Sequence, residues 1–535
     1  MKFFYTTLFT IIFSFGTAQQ EYHVFPTTHE VTPGKTTGDG SLKFPWDLQT
    51  ALNKKAVVKA GDKIWLHQGV YKGRFTSSIS VANFKGIPIV ISGYSKDKVI
   101  IDGNVSSNTQ AVLDINGNGL VFKNFEITFQ GNFPRKTSEA GFKPVTGVNH
   151  RQGANCKFVN LKIHNVPGSG IGSWKRTSNS EIKNCIIYNN GYLGGRRGHG
   201  VGIYVQNESN QQRIIEGNII FANYYKGIQV WSASNGNGNQ FVKNVLLKDN
   251  VIFNSGLPSG QLKDNLIVAT GDGSGKHIAK NITVKDNVFY HNTDVKNGQI
   301  IGGGMSLTLG FHKNAPVTDI KVLNNVIVGG KDGLRLMHVK GLEFKGNTVY
   351  SEFVRLNPEF LRKSNQLSFL NNRYYTRRAT LFRVAKTKDY NLVDWKKELK
   401  LDAQSSWAPS KEFKTEAVLK LLQIEGQSNE FLVNLFDPNA KEVTIDFSKF
   451  YGLKGQTFKV YDIENADKIL KTGQLSDDLK VKINMAAAYS ANPSAQKSLA
   501  NFGVYRIVFE DFKTTSNSRK SGGSLLGKLF RKLGF

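Results

Sequence analysis

The sequence predicts an all-β chain: a β-solenoid over most of its length, followed by a small antiparallel β-sandwich. Three observations predict it. A short phrase, apolar-x-apolar-x-Asn followed by a β-branched run, recurs from about residue 97 onward. Its shortest spacings fall in the low twenties, the period of a stacked coil. From Glu430 the pattern changes to alternating strands divided by turns such as Asp437-Pro438-Asn439.

The phrase is carried by Val121-Phe122-Lys123-Asn124-Phe125-Glu126-Ile127, Phe158-Val159-Asn160-Leu161-Lys162-Ile163 and Ile182-Lys183-Asn184-Cys185-Ile186-Ile187. It continues at Asn218, Asn250, Asn287, Asn325, Asn347 and Asn372. Asn160 and Asn184 are 24 residues apart, Asn325 and Asn347 22, and longer gaps read as the same unit with an inserted loop. One coil is too small to bury its own apolar face, so stacking makes the core. Asn at a fixed turn tolerates left-handed backbone and can pair its amide with the next coil. A leucine-rich repeat has this period too, but its Leu-x-x-Leu-x-Leu frame is missing and β-branched residues stand in its place.

The entry segment adds to the pattern. Pro45-Trp46-Asp47-Leu48-Gln49-Thr50-Ala51-Leu52 reads as a short amphipathic helix, followed by Gly61-Asp62-Lys63-Ile64-Trp65-Leu66, Gly69-Val70-Tyr71 and Pro88-Ile89-Val90-Ile91. Together with the repeat, this string resembles the right-handed parallel β-helix superfamily of pectate-lyase-like polysaccharide enzymes, over roughly residues 40 to 375. The resemblance implies a helix capping the open N-terminal end. It implies a fold, and that fold hosts lyases, hydrolases, epimerases and adhesins. The expected organisation is a signal peptide over 1–18, the β-helix with its capping helix over 19–376, a helical linker and cap over 377–425, the sandwich over 426–512, and a linker with a basic tail over 513–535. The sandwich has two readings, packing on the solenoid or binding glycan.

Charge and targeting narrow the partner. Lys and Arg total 70 against 41 acids among 535 residues, a formal charge of +29 that calls for a polyanion. Lys2, the apolar run Phe3 to Phe15 and Gly16-Thr17-Ala18 form the three regions of a secretory signal, too short to span a bilayer. A secreted protein does not meet chromosomal nucleic acid, so the expected partner is an acidic or sulfated polysaccharide, met as a monomer. The tail places Leu525, Leu526, Leu529, Phe530 and Leu533 on one helical face among Lys528, Arg531 and Lys532, which suits an anionic membrane surface or docking on the protein. Two cysteines exclude a disulfide scaffold; Cys156 and Cys185 are either a pair or two buried thiols.

Strand alternation locates a candidate groove. Aligning the strands after Gly147, Gly170, Gly202, Gly227 and Gly333 sends Val148, Ile171, Ile203, Val205, Ile228, Val230, Leu334 and Leu336 inward. The outward set is Asn149, Arg151, Trp174, Tyr204, Gln206, Gln229, Trp231 and Arg335. Aromatic faces stack on sugar rings, and amides and guanidinium groups bind hydroxyls and acid groups. The adjacent Gly194-Gly195-Arg196-Arg197-Gly198-His199-Gly200 and Tyr204-Val205-Gln206-Asn207 resemble a segment recurrent in exported β-helix proteins, and add Arg196 and Asn207 as binding candidates.

The expected reaction is β-elimination from a uronic acid, which needs a proton-removing base and a cation on the adjacent carboxylate. The expected catalytic set is His199, Tyr204, Arg197, Arg151 and Lys175. His150 points inward by alternation, and His164 and His277 read as structural. No cofactor is required by this set; Ca²⁺ is one option for the cation, with no compact Asp cluster to hold it. The enzymatic alternative is a glycoside hydrolase using a carboxyl pair such as Asp264 and Asp272. The non-enzymatic alternative is a glycan-binding or adhesin β-helix.

Overall fold

The computed structural model describes residues 19–232, 240–291, 303–413, 418–424, 428–439, 441–485 and 501–510, with the backbone of 295–296 and 299–300. The expected signal peptide and basic tail lie outside the described residues. The chain divides into two units, Met1–Lys414 and Thr415–Phe535.

In the first unit each coil adds one strand to each of three twelve-stranded sheets. One coil runs Leu120–Lys123 in sheet A, Glu126–Thr128 in sheet B and Thr146–Gln152 in sheet C. Neighbouring coils pair in parallel and in register, so one sequence position stacks on the same position of the next coil. Like residues therefore form rows. His164, Tyr188, Phe221 and Phe253, all in the last position of sheet B strands, stack at 4.7, 4.8 and 4.9 Å between ring centroids. Ile, Val, Leu and Phe from all three sheets make one continuous core from Val24 to Leu401.

The turn from sheet A to sheet B is made by one left-handed residue: Asn124, Asn160, Asn184, Gly217, Asp249, Asp286, Asn324, Gly346 or Asn371. The next residue is a different, buried position. There Asn218, Asn250, Asn287, Asn325, Asn347 and Asn372 form a ladder, each Nδ2 donating to the next Oδ1 at 2.9–3.2 Å. The sequence phrase had put Asn124, Asn160 and Asn184 in one series with Asn218 and its successors; the structure offsets them by one residue. Asn suits both positions for different reasons, left-handed tolerance in one and amide pairing in the other, so spacing alone merges them.

The ladder is closed at both ends. The backbone N–H of Cys185 donates to Asn218 Oδ1 at 2.9 Å. Asn372 donates to buried Asp402, which also accepts from Tyr374 and Trp395. Cys156 and Cys185 are free, buried thiols, so the disulfide option is not realised.

Two helices lie at the ends of the solenoid sequence. Helix α1 (Leu48–Asn53) starts at Asp47, whose carboxylate accepts from Thr50 N–H, and buries Leu48, Ala51 and Leu52. Helix α2 (Leu392–Leu399) buries Trp395, stacked on Phe382 at 4.1 Å. The solenoid runs further than the repeat indicated. Phe382–Val384 extends sheet C and Ser406–Pro409 extends sheet B, both in parallel, within the segment assigned to a helical linker. Val418–Gln423, placed in the same linker, is instead the first strand of the second unit.

The second unit has a five-stranded antiparallel sheet and a two-stranded one, Glu442–Asp446 with Lys480–Asn484. Phe431, Val433, Ile507 and Phe509 on the first join Val443, Ile445, Val481 and Ile483 on the second in one core. This is the small antiparallel β-sheet domain that the alternating strands predicted.

Candidate functional site

The outer face of sheet C carries the candidate residues. Its inward positions, such as Val148, Ile171, Ile203, Ile228, Leu266, Leu307 and Leu334, are fully buried. The alternate positions form an outward row in register: Asp114, Asn149, Gly172, Tyr204, Gln229, Ile267, Thr308, Arg335, Arg355 and Arg383. Two features of this row depart from the sequence alignment. Gly172, not Trp174, lies between Asn149 and Tyr204. Two coils, bearing Ile267 and Thr308, separate Gln229 from Arg335; their strands begin after Asn265 and Ser306 rather than after glycine, which hid them.

A second outward row holds Trp174, Gln206 and Trp231, two residues further along each strand. Trp174 folds back over Gly172, where an added Cβ would lie 3.4 Å from the indole Nε1. Its ring sits 5.1 Å from that of Tyr204, and the residue is 39% exposed. Gln206 Nε2 donates to the Tyr204 hydroxyl at 3.3 Å and to the Trp231 carbonyl at 3.1 Å. Burial raises Tyr204 to about 12, so its phenol stays protonated at neutral pH. Trp231 meets Phe311, itself 59% exposed, edge to face at 5.2 Å.

Charge on this face is paired. Arg151, at a bulge in its strand, holds Asp114 through Nε at 3.1 Å and Nη2 at 2.5 Å. Arg355 holds Asp332 at 2.9 Å. Lys226 Nζ lies 3.1 Å from Asp264, and Asp264 also accepts from Thr308 Oγ1 at 2.5 Å. Lys226 and Asp264 are both buried, and the ammonium is 5.6 Å from the Trp231 ring and 5.1 Å from that of Tyr225. Arg335 differs: its Nε is buried without a hydrogen-bond partner among the described residues.

Several candidates are placed elsewhere. Asn207 is fully buried; its amide donates to the carbonyls of Gln211 and Lys243 at 2.9 Å, and its oxygen accepts from Ser209. It fixes the turn after sheet C and faces no solvent, so its assignment to substrate binding is corrected. Lys175 rests on the Phe241 ring at 3.8 Å, outside both outward rows, because it shares the alternation of Ile171 and Ser173 rather than that of Gly172 and Trp174. His150 is buried against Ser173 and Gly153, beside Arg213, and burial lowers it to about 3.

His199 belongs to a hairpin, Gly198–His199 against Tyr192–Leu193, in the loop between sheets B and C. Its ring stacks on Tyr192 at 5.0 Å, and burial, then Arg197, lowers its pKa. Gly194 permits this packing, since a Cβ there would fall 2.6 Å from the imidazole Nε2. Arg196 and Arg197 are exposed on the same loop, and Arg197 lies over the Tyr225 ring at 4.4 Å. Among the described residues no group of three or more His, Cys, Asp or Glu side chains is arranged to hold a metal ion. Asp272 is tied to Ser274 and the His277 N–H, the Ser274 hydroxyl chiefly lowering it to about 2.

The family described as the Pel9A-like, right-handed β-helix region matches residues 29–346. The chain belongs to this family. Its three parallel sheets are those of a right-handed β-helix. Pectate lyase Pel9A is similar at 16% identity and a TM-score of 0.45, over 75% of this chain and 83% of that one. Alginate lyase from Paenibacillus sp. str. FPU-7 has 14% identity and a TM-score of 0.36, over 67% and 96%. GH136 lacto-N-biosidase from Eubacterium ramulus has 15% identity and a TM-score of 0.42, over 73% and 68%. These are likenesses of fold. No curated protein sequence matches the chain.

In this Pel9A-like chain the sequence reading missed Lys226, Asp114, Arg355 and Arg383. Asp114, Arg355 and Arg383 lie on coils whose strands do not follow a glycine. Lys226 directly precedes the Gly227 strand, and alternation alone would turn it inward. The turn from sheet B instead brings its ammonium to Trp231 on the outer face.

Proposed function

We propose that this chain binds an acidic polysaccharide along the outer face of sheet C and cleaves it by β-elimination. The observation that supports a lyase over a hydrolase is the pairing of carboxylates. Asp114, in a strand of this face, and Asp332, two residues before one, are each held by an arginine. A hydrolase needs two carboxyl groups that face each other across the sugar and are free to act on it, and these carboxylates are occupied by arginine. Asp272, at about 2, is ionised and occupied by its own turn.

In this reading Lys226, once it has released a proton to solvent, takes the C5 proton of a uronate, the C4–O bond breaks, and the Tyr204 phenol gives its proton to the departing oxygen. Asp264 stabilises the ammonium that results. The ammonium then returns its proton to water, and Tyr204 regains one from water. Trp174, Trp231 and Gln229 carry the sugars, and Arg335 holds an acid group. Export through residues 1–18 belongs to the same reading.

The test is incubation with polygalacturonate, alginate and a sulfated polysaccharide. New unsaturated ends, seen by ultraviolet absorbance, are the expected result. Reducing ends without that absorbance would replace the lyase by a hydrolase, and binding without either would leave a glycan-binding protein.

A further inference from the structure

Beside the sheet C face lies a cavity lined by Lys136, Ser138, Gly195, Arg196, Arg197 and Gln261, among others. Three cations converge on it from two separate loops. A nearby acid, Glu139, accepts through Oε2 from the backbone N–H groups of Arg135 and Lys136 and lies 4.0 Å through Oε1 from the Lys136 ammonium, so Lys136 shares its charge with it and the two arginines carry the site. Gln261 is anchored by donating to the Arg196 carbonyl at 3.2 Å. Arg196 and Arg197 have no carboxylate partner among the described residues, unlike Arg151 and Arg355 on the face itself.

The cavity is joined to the face. Arg197 covers the Tyr225 ring at 4.4 Å, and Lys226 approaches the same ring at 5.1 Å and Trp231 at 5.6 Å. A cation–aromatic strip thus runs from the cavity to the proposed base.

We infer that this cavity is an oxyanion subsite, in which Arg196, Arg197 and Lys136 bind a carboxylate or sulfate group carried beside the sugar chain held on sheet C. Guanidinium forks match planar carboxylates and tetrahedral sulfates alike. The inference rests on the reading of sheet C as a polysaccharide-binding face, and it adds a requirement: the substrate carries an acid group outside the line of the groove.

The full chain and Arg196→Ala/Arg197→Ala are titrated with polygalacturonate, dextran sulfate and neutral dextran. Lys321→Ala/Lys340→Ala, which removes equal charge from the outer face of sheet A, is the control. The arginine variant is expected to lose about tenfold or more in affinity for one anionic polymer, with a weaker salt dependence and an unchanged melting temperature. The polymer affected tells carboxylate from sulfate. Wild-type-like binding by the arginine variant, or an equal loss in the lysine control, overturns the subsite. Failure of the wild type to bind either polyanion overturns subsite and face together. Turnover is not read, so a protein that binds but does not cleave still decides the subsite.

Discussion

The indole Nε1–H of Trp174 donates to Asn149 Oδ1 at 2.7 Å, across two adjacent coils. Asn149 Nδ2 donates in turn to Asp114 at 3.2 Å, and Asp114 is gripped by Arg151. An exposed tryptophan is thereby held in one orientation, which under the proposed function lowers the entropy cost of stacking a sugar on it. Arg151, expected to hold substrate, instead supports this platform from below.

Asn149→Ala should release that indole. Polysaccharide affinity is expected to fall by about fivefold, from loss of one hydrogen bond worth roughly 1 kcal/mol. Tryptophan fluorescence should shift while the melting temperature barely moves. Unchanged affinity would show that Trp174 needs no orienting.

Lys226 and Asp264 are a buried pair, so removing one leaves the other uncompensated. Lys226→Met should abolish turnover and cost about 3 kcal/mol of stability. Lys226→Met/Asp264→Asn should recover much of the stability without turnover. Recovery of both in the double variant, in denaturant unfolding and the absorbance assay, would reduce Lys226 to a structural role.

Tyr204→Phe keeps the ring against Trp174 and removes the proposed acid. Turnover is expected to fall by about a hundredfold or more, with affinity little changed. The titration has a definite sign. The folded phenol holds its proton to about 12 against an ordinary 10.0, so its stabilising effect is complete below pH 10 and is lost as pH rises from there to about 12. The Tyr204→Phe protein should therefore lose less stability over that window than the wild type in alkaline unfolding.

The two Asn positions at the sheet A to sheet B turn should separate on substitution. Asn287 bonds Asn325, Asn250 and two carbonyls inside the core, so Asn287→Ala should cost about 3 kcal/mol or more. Asn160 is the exposed left-handed residue, and Asn160→Gly should stay within about 0.5 kcal/mol. Equal costs in urea unfolding would refute the one-residue offset.

Burial raises the Cys156 thiol to about 11 and Cys185 to about 12. Both should resist a thiol reagent at neutral pH in the native protein and react at once in denaturant. Rapid native labelling would contradict their packing in the core.

By itself the sequence determined the stacked-coil architecture, the two helices near the ends of the solenoid sequence, the strands of the second unit other than Val418–Gln423 and Ile469–Gln474, and the inward aliphatic rows. These follow from local periodicity: β-branched residues recurring at one spacing have only a stacked interior in which to be buried. It also picked out Asn149, Trp174, Tyr204, Gln206, Gln229 and Trp231 as one face, because alternation is a property of each strand alone. Tertiary structure decided what pairs with what. Loops of unequal length set which coil neighbours which, so Ile267 and Thr308 entered between Gln229 and Arg335 unseen. A bulge at Arg151, a turn at Lys226 and a missing side chain at Gly172 each redirected a group by a few ångströms. The site depends on those redirections, since Lys226 reaches Trp231, and Trp174 reaches Asn149, only once neighbouring coils are stacked.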